Sequence, residues 1–170
     1  LLACAYVKNA TGEEWQHVFD LYLSSIDPIE RQVYRHALSC IENIKIMTRF
    51  LNMSFDPSVI PLQDAIDVIL DVGSTHNGDT LAWNFVKNNW NIISTKLKET
   101  PNSFSYLITG TAGRLKTPEH FDEVKEFFSV NGEEYLIKSI NESLEMIGNN
   151  IYWIQRNLVD LENWLDTHSH

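Results

Sequence analysis

Residues 137–165 run IKSINESLEMIGNNIYWIQRNLVDLENWL, and their spacing decides the fold class. Ile137, Ile140, Leu144, Ile147, Ile151, Ile154, Leu158, Leu161 and Leu165 follow one another in alternate steps of three and four. A helix of 3.6 residues per turn gathers such positions on one side, whereas the two-residue repeat of a strand scatters them over both faces. A seam of this kind suits either a coiled coil or a terminal pair of packed helices. Tyr152, Trp153 and Trp164 widen the apolar face beyond a two-position seam. Gly148 weakens a helix locally, by about 1 kcal/mol relative to alanine. Both features favour the packed pair.

The same period recurs upstream. Ala82, Val86, Trp90, Ile93 and Leu97 predict one long helix after the loop Gly73–Gly78, whose glycines and Asn77 break the pattern. Thr11 and Glu14 form a capping box ahead of Trp15, Val18, Phe19 and Tyr22. Asp27-Pro28 and Thr117-Pro118 start two further helices, each with an oxygen acceptor followed by a proline where no N–H is needed. Their apolar stripes are Val33, Ala37 and Leu38 in the first, and Phe121, Val124 and Phe128 in the second. Ile44, Met47 and Leu51 carry a short helix ending before Asp56-Pro57, and Pro61 opens another with Ala65, Ile69 and Val72 inward. Phe104 to Leu115, with Gly110 and Gly113, reads as irregular. No stretch alternates apolar and polar residues over a strand's length. The expectation is an all-α chain, a single domain over residues 1–170 with about seven or eight helices stacked as antiparallel pairs in an armadillo- or HEAT-like superhelix. Helix spacing carries that expectation, because no repeated motif is visible between the pairs.

Composition narrows the function. With 44% hydrophobic residues in 170, the chain has ample core. Thirteen Lys and Arg against 23 Asp and Glu leave a net charge of −10, which repels phosphate backbones and anionic lipid. Nucleic acid is excluded as a natural partner. No window reaches the roughly 20 apolar residues that span a bilayer, so no membrane insertion by this segment is expected. Leu1 to Val7 reads as the tail of a buried helix begun upstream, and a membrane anchor of any longer parent is expected elsewhere. Asn9, Asn52 and Asn141 each begin an N-glycosylation triplet, Asn141 within a predicted helix. Cys4 and Cys40 allow one pairing, although composition fits two small buried thiols equally well.

Catalytic chemistry is hard to find. A helical hydrolytic zinc site needs His-Glu-x-x-His, and the sequence has none. His17, His36, His76, His120, His168 and His170 are scattered, and read as ordinary side chains. No Gly-x-Ser-x-Gly elbow or phosphate-cradling glycine loop is present. Glu13-Glu14 and Glu133-Glu134 sit at helix starts, where the helix dipole accounts for them. No catalytic residue and no metal ligand is assigned.

The run Thr80-Leu81-Ala82-Trp83-Asn84-Phe85-Val86-Lys87-Asn88-Asn89-Trp90, with Gly78 before it, resembles the signature of the C-terminal domain of the gluzincin aminopeptidases. Gly12-Glu13-Glu14-Trp15, Ala37-Leu38-Ser39-Cys40, Arg49-Phe50-Leu51, Gln63-Asp64, Glu123-Val124-Lys125-Glu126-Phe127-Phe128, Asn150-Ile151-Tyr152-Trp153 and Trp164-Leu165 match in the same order. The pattern is similar to members of the aminopeptidase N type. The resemblance implies a bowl of helices over a separate zinc-bearing catalytic domain that removes N-terminal residues from peptides. No cofactor is then expected in this chain, and zinc belongs to the parent. Implied partners are that catalytic domain, peptide substrates and a second copy in a homodimer. The resemblance also implies a Cys4–Cys40 disulfide, whose loop would contribute roughly 4 kcal/mol by chain entropy. It implies secretion or an extracellular membrane face, in line with the three triplets. Some relatives place basic residues near the positions of Cys40 and Ser74, facing a peptide carboxylate. Those positions are not basic here, which leaves Arg31, Arg35, Ser74 and His76 as the peptide-facing candidates. The competing reading is a stand-alone extracellular helical-repeat module that binds protein or peptide without catalysis.

Overall fold

The computed structural model describes residues 2–168, the side chains of Leu62 and Gln63 excepted. Leu1, His170 and the Gln63 side chain, all read above, therefore lie outside the description. The chain divides into two compact units, Leu1–Glu99 and Thr100–His170. Among the described residues there are ten α-helices, two turns of 3-10 helix and no strand. The all-α expectation is met, with more helices than the seven or eight anticipated.

The first unit holds α1 (Leu2–Lys8), α2 (Gly12–Ser24), α3 (Pro28–Ser39), α4 (Ile44–Met53), α5 (Leu62–Gly73), α6 (Asp79–Asn88) and α7 (Trp90–Leu97). Local chemistry sets its helix starts. The Thr11 N–H donates to the Glu14 carboxylate at 2.8 Å, and the Glu14 N–H donates back to Thr11 Oγ1 at 3.3 Å. Asp27 accepts from the Ile29 N–H at 2.7 Å, and Asn43 accepts from the Lys45 N–H at 3.0 Å. Helix α3 packs against α1, α2, α4 and α5, which makes it the centre of the unit. Trp15 is fully buried and lies 5.1 Å from Phe19 and 5.6 Å from Phe50, ring centre to ring centre. Its indole N–H donates to the Leu38 carbonyl at 3.1 Å, so one side chain joins α2 to α3 by both packing and a hydrogen bond.

The second unit holds α8 (Pro101–Thr111), a 3-10 turn (Ala112–Arg114), α9 (Pro118–Asn131), a second 3-10 turn (Glu134–Leu136) and α10 (Ile137–His168). The first half of α10 is its spine, with Ile140 and Ile147 buried alongside Phe104, Leu107, Ile108, Val124 and Phe128. Gly113 allows the first 3-10 turn to approach α10, since a Cβ there would lie 2.9 Å from the Met146 sulfur. Asn150 secures that contact by donating to the Gly113 and Leu115 carbonyls at 3.2 and 2.9 Å.

Four expectations require correction. The long helix over Ala82–Leu97 is two helices, because Asn89 leaves helical geometry (φ −111°, ψ 17°) and its amide donates to the Phe85 carbonyl at 2.8 Å. The stretch around Phe104 is regular rather than irregular, started by Pro101 at the first helical turn. The terminal segment is one helix of 32 residues, not a pair. A single glycine costs only about 1 kcal/mol, too little to break a ladder of that length without a proline. Finally, Val33, Ile44 and Ile137 are 50%, 45% and 52% exposed and Leu158, Leu161 and Leu165 are exposed as well, so six stripe positions lie outside the core.

Two substitutions test these joints by urea denaturation followed by far-UV circular dichroism. Trp15→Phe retains an aromatic ring but leaves the Leu38 carbonyl without its donor, and a loss of about 1–3 kcal/mol is expected. Asn150→Leu strips two carbonyls at once and should cost at least as much in the second unit.

Candidate functional site

Cys4 and Cys40 are joined, with Cα atoms 5.4 Å apart and a sequence separation of 36. The bridge fastens α1 to the residue that caps α3. Two more contacts reinforce the joint: the Glu42 N–H donates to the Lys8 carbonyl at 3.0 Å, and Lys8 Nζ pairs with Glu42 at 3.2 Å. Beside the bridge opens a cleft of ≈ 390 Å³ whose walls include Cys4, Lys8, His36, Glu42, Ser74 and His76. The loop after α5 forms one wall. Ser74 Oγ donates to the Asp71 carbonyl at 2.7 Å, Thr75 Oγ1 donates to the Val72 carbonyl at 2.8 Å, and the Gly78 N–H donates to Thr75 O at 3.2 Å. Gly78 closes the loop so tightly that a Cβ would collide with the Val72 carbonyl, which is why a glycine precedes the Ala82-Trp83 run.

Behind the cleft, α3 and α5 are held by an ionic network. Arg35, only 8% exposed, places Nε 2.8 Å from Asp71 and Nη1 2.9 Å from Asp67 and 3.7 Å from Asp64. Arg31 pairs with Asp64 at 3.1 Å and lies 5.4 Å from the centre of the Tyr22 ring. The Tyr22 hydroxyl donates to Asp64 at 2.7 Å; burial first, and that carboxylate second, push its pKa well up. Burial alone would lower the pKa of Arg35, but the carboxylates, Asp71 foremost, hold it above its ordinary value. Three carboxylates face two guanidiniums, which leaves one surplus negative charge. Asp67 carries that surplus: burial raises its pKa, Arg35 lowers it, and the neighbouring Asp71 and Asp64 raise it again, for a net upward shift.

Of the four peptide-facing candidates, Ser74 and His76 line the cleft. Arg31 and Arg35 do not; their guanidiniums are engaged by Asp64, Asp67 and Asp71. A peptide carboxylate would have to displace one of those acids. The sequence carried a trace of this network, in the spacing of Asp64, Asp67 and Asp71 along one helix face and of Arg31 and Arg35 along another.

Among the described histidines, His17 is exposed, His120 contacts the Thr117 hydroxyl at 3.2 Å, and His168 stacks on Trp164 at 4.6 Å. Asn9 is exposed just past α1, whereas Asn52 and Asn141 lie on helices, with Ser54 and Ser143 buried. Among the described residues, one group of potential metal ligands converges: Cys4, His36 and Cys40, within 4.8 Å of one another, the two sulfurs being bonded together. No described helix is long and apolar enough to cross a membrane.

The signature run is a packing motif, since Ala82, Trp83, Phe85 and Val86 are all buried. The class defined so far is a helical domain built for packing, whose sequence has no hydrolytic constellation. The ERAP1-like C-terminal domain family matches residues 1–149, and the chain belongs to that family. It is 28% identical over 165 residues to human thyrotropin-releasing hormone-degrading ectoenzyme, covering 97% of this chain and 15% of that protein. It is 28% identical over 167 residues to rat endoplasmic reticulum aminopeptidase 1, covering 96% and 18%. Against bovine aminopeptidase N it is 28% identical over 169 residues, covering 98% and 18%. The chain thus spans less than a fifth of the length of these relatives.

The surplus charge on Asp67 sets a pH dependence. A carboxyl raised above its ordinary 3.8 opposes folding once ionised, so its penalty is absent in acid and develops as pH rises through the raised value. Asp67→Asn should therefore match or exceed the parent in melting temperature at pH 7, with the difference vanishing below pH 3.8. Arg35→Met, which takes the guanidinium from Asp67 and Asp71, should instead lose about 3 kcal/mol at pH 7.

Proposed function

We propose that this chain is the non-catalytic C-terminal part of a zinc-dependent aminopeptidase of the secretory pathway, where it covers the catalytic domain and limits the access of peptides. The observation that carries this reading is membership of the ERAP1-like C-terminal domain family in a sequence without His-Glu-x-x-His. The residues present do not fit the catalytic zinc. Their one convergent ligand group has its sulfurs joined, and lacks the general base that a hydrolytic site sets between two histidines. Metal-activated water would therefore be supplied by the parent's own catalytic domain.

Exposed apolar residues support packing against the remainder of such a parent or against a second copy. Ile26 and Ile29 in the first unit are 97% and 73% exposed, and Val159 and Trp164 in the second are 64% and 56% exposed. The disulfide and the glycosylation triplets support an oxidising compartment. The cleft supports the access role, because its walls offer hydrogen-bonding side chains, Ser74, Thr75 and His76 among them, to a passing peptide.

Two assays test the proposal. The purified chain should not turn over aminoacyl chromogenic substrates, with or without added zinc. In the full-length parent, His76→Trp should leave kcat/KM for a short aminoacyl substrate unchanged and lower kcat/KM for long peptides several-fold. Turnover by the isolated chain, or an equal effect on both substrates, would refute it.

A further inference from the structure

We propose that reduction of the Cys4–Cys40 bridge converts it, with His36, into a binding site for a soft divalent metal such as zinc, open to the cleft on its fourth side. The reading rests on geometry within the first unit and does not depend on the identity of the parent.

Three donors converge from two separately anchored helices. Cys4 lies on α1, His36 on α3 and Cys40 at the end of α3, with their ligand atoms within 4.8 Å of one another. Tetrahedral zinc, with bonds of about 2.3 Å to sulfur and 2.0 Å to nitrogen, needs its donors roughly 3.5 Å apart. Once reduced, the two sulfurs can reach that spacing by side-chain rotation at a Cα separation of 5.4 Å. The backbone at the joint is held independently of the bridge by the Glu42 N–H to Lys8 carbonyl bond.

The surroundings suit the ligand set. His36 Nδ1 lies 3.4 Å from Asp71 Oδ1, so coordination through Nε2 leaves Nδ1–H on a carboxylate, the arrangement that orients metal-bound histidines. Asp71 is itself held by Arg35 at 2.8 Å. Two thiolates neutralise a divalent ion, so the site adds no net charge beside Lys8, which is already paired with Glu42. Thiolate and imidazole donors favour zinc over calcium or magnesium. The fourth position faces the cleft, where His76 lies on the wall.

The chemistry balances with a dithiol as reductant. Two electrons and two protons pass to the bridge, giving two thiols, while the dithiol closes to its own disulfide. The metal then displaces both thiol protons to solvent.

Cobalt(II) serves as the probe. The 170-residue chain is reduced with a dithiol, freed of it under nitrogen and titrated with cobalt, with far-UV circular dichroism recorded alongside. One equivalent should produce tetrahedral d–d bands and thiolate-to-cobalt charge transfer, bleached by zinc, with helicity retained. The oxidised chain and the Cys4→Ser, Cys40→Ser double variant should be silent, and His36→Gln should weaken binding at least tenfold. The proposal is overturned if the reduced chain gives no tetrahedral spectrum, if His36→Gln binds cobalt as tightly as the parent, or if helicity is lost and metal does not restore it.

Discussion

Burying Arg35 between α3 and α5 constrains everything around it in the first unit. A guanidinium that is 8% exposed has to be met by carboxylates of fixed position, and Asp64, Asp67 and Asp71 meet it from successive turns of one helix. That sets the rotation of α5 about its axis, because a turn in either direction would withdraw at least one acid. The loop that follows α5 inherits this setting. Ser74 and Thr75 hydrogen-bond back to the Asp71 and Val72 carbonyls, so the cleft wall is placed by the same ion pairs that join the helices. On the other side of α3, Trp15 and the disulfide hold α2 and α1. Helix α3 thus joins the polar network to the aromatic core, and His36 and Cys40 at its C-terminal end line the cleft.

Behind the cleft, the charged side chains of the first unit serve to join its helices. Around it the ion pairs are Lys8 with Glu42, Arg31 and Arg35 with the three aspartates, and His36 with Asp71. These pairs fix α1, α3 and α5 against one another with a single surplus negative charge. The same pairs hold the wall of the cleft in place through the loop after α5.

What the sequence disclosed followed from how local each signal was. Caps at Thr11, Asp27 and Thr117 were legible because acceptor and donor lie within three residues. Inward faces were legible wherever periodicity was strong, as at Ala82, Val86 and Ile93. The break at Asn89 was not, since Asn is compatible with a helix and the competing bond to the Phe85 carbonyl depends on a backbone turn visible only in three dimensions. Arg31 and Arg35 were noticed for their charge but read as facing a ligand. Their acids lie 29 to 36 positions further along the chain, and spacing within one helix says nothing about which other helix it meets.

The terminal seam shows the limit of periodicity most plainly. Its step of three and four reports which side of α10 is apolar, and that side is indeed the one buried at Ile140 and Ile147. Periodicity carries no information about how far along the helix burial extends. The core of the second unit, fastened by Asn150 to the Gly113 and Leu115 carbonyls, covers only the first half, while Leu158, Leu161 and Leu165 continue the same stripe at 43%, 45% and 50% exposure. A folded-back helix pair would have needed a turn near Gly148, yet Gly148 sits in continuous helix with nothing within 4 Å of where a Cβ would be. The helix stays whole because breaking it would expose backbone groups and gain no burial. The apolar stripe runs past the core for the same reason: continuing the backbone ladder is locally favourable whether or not a partner covers its outer face.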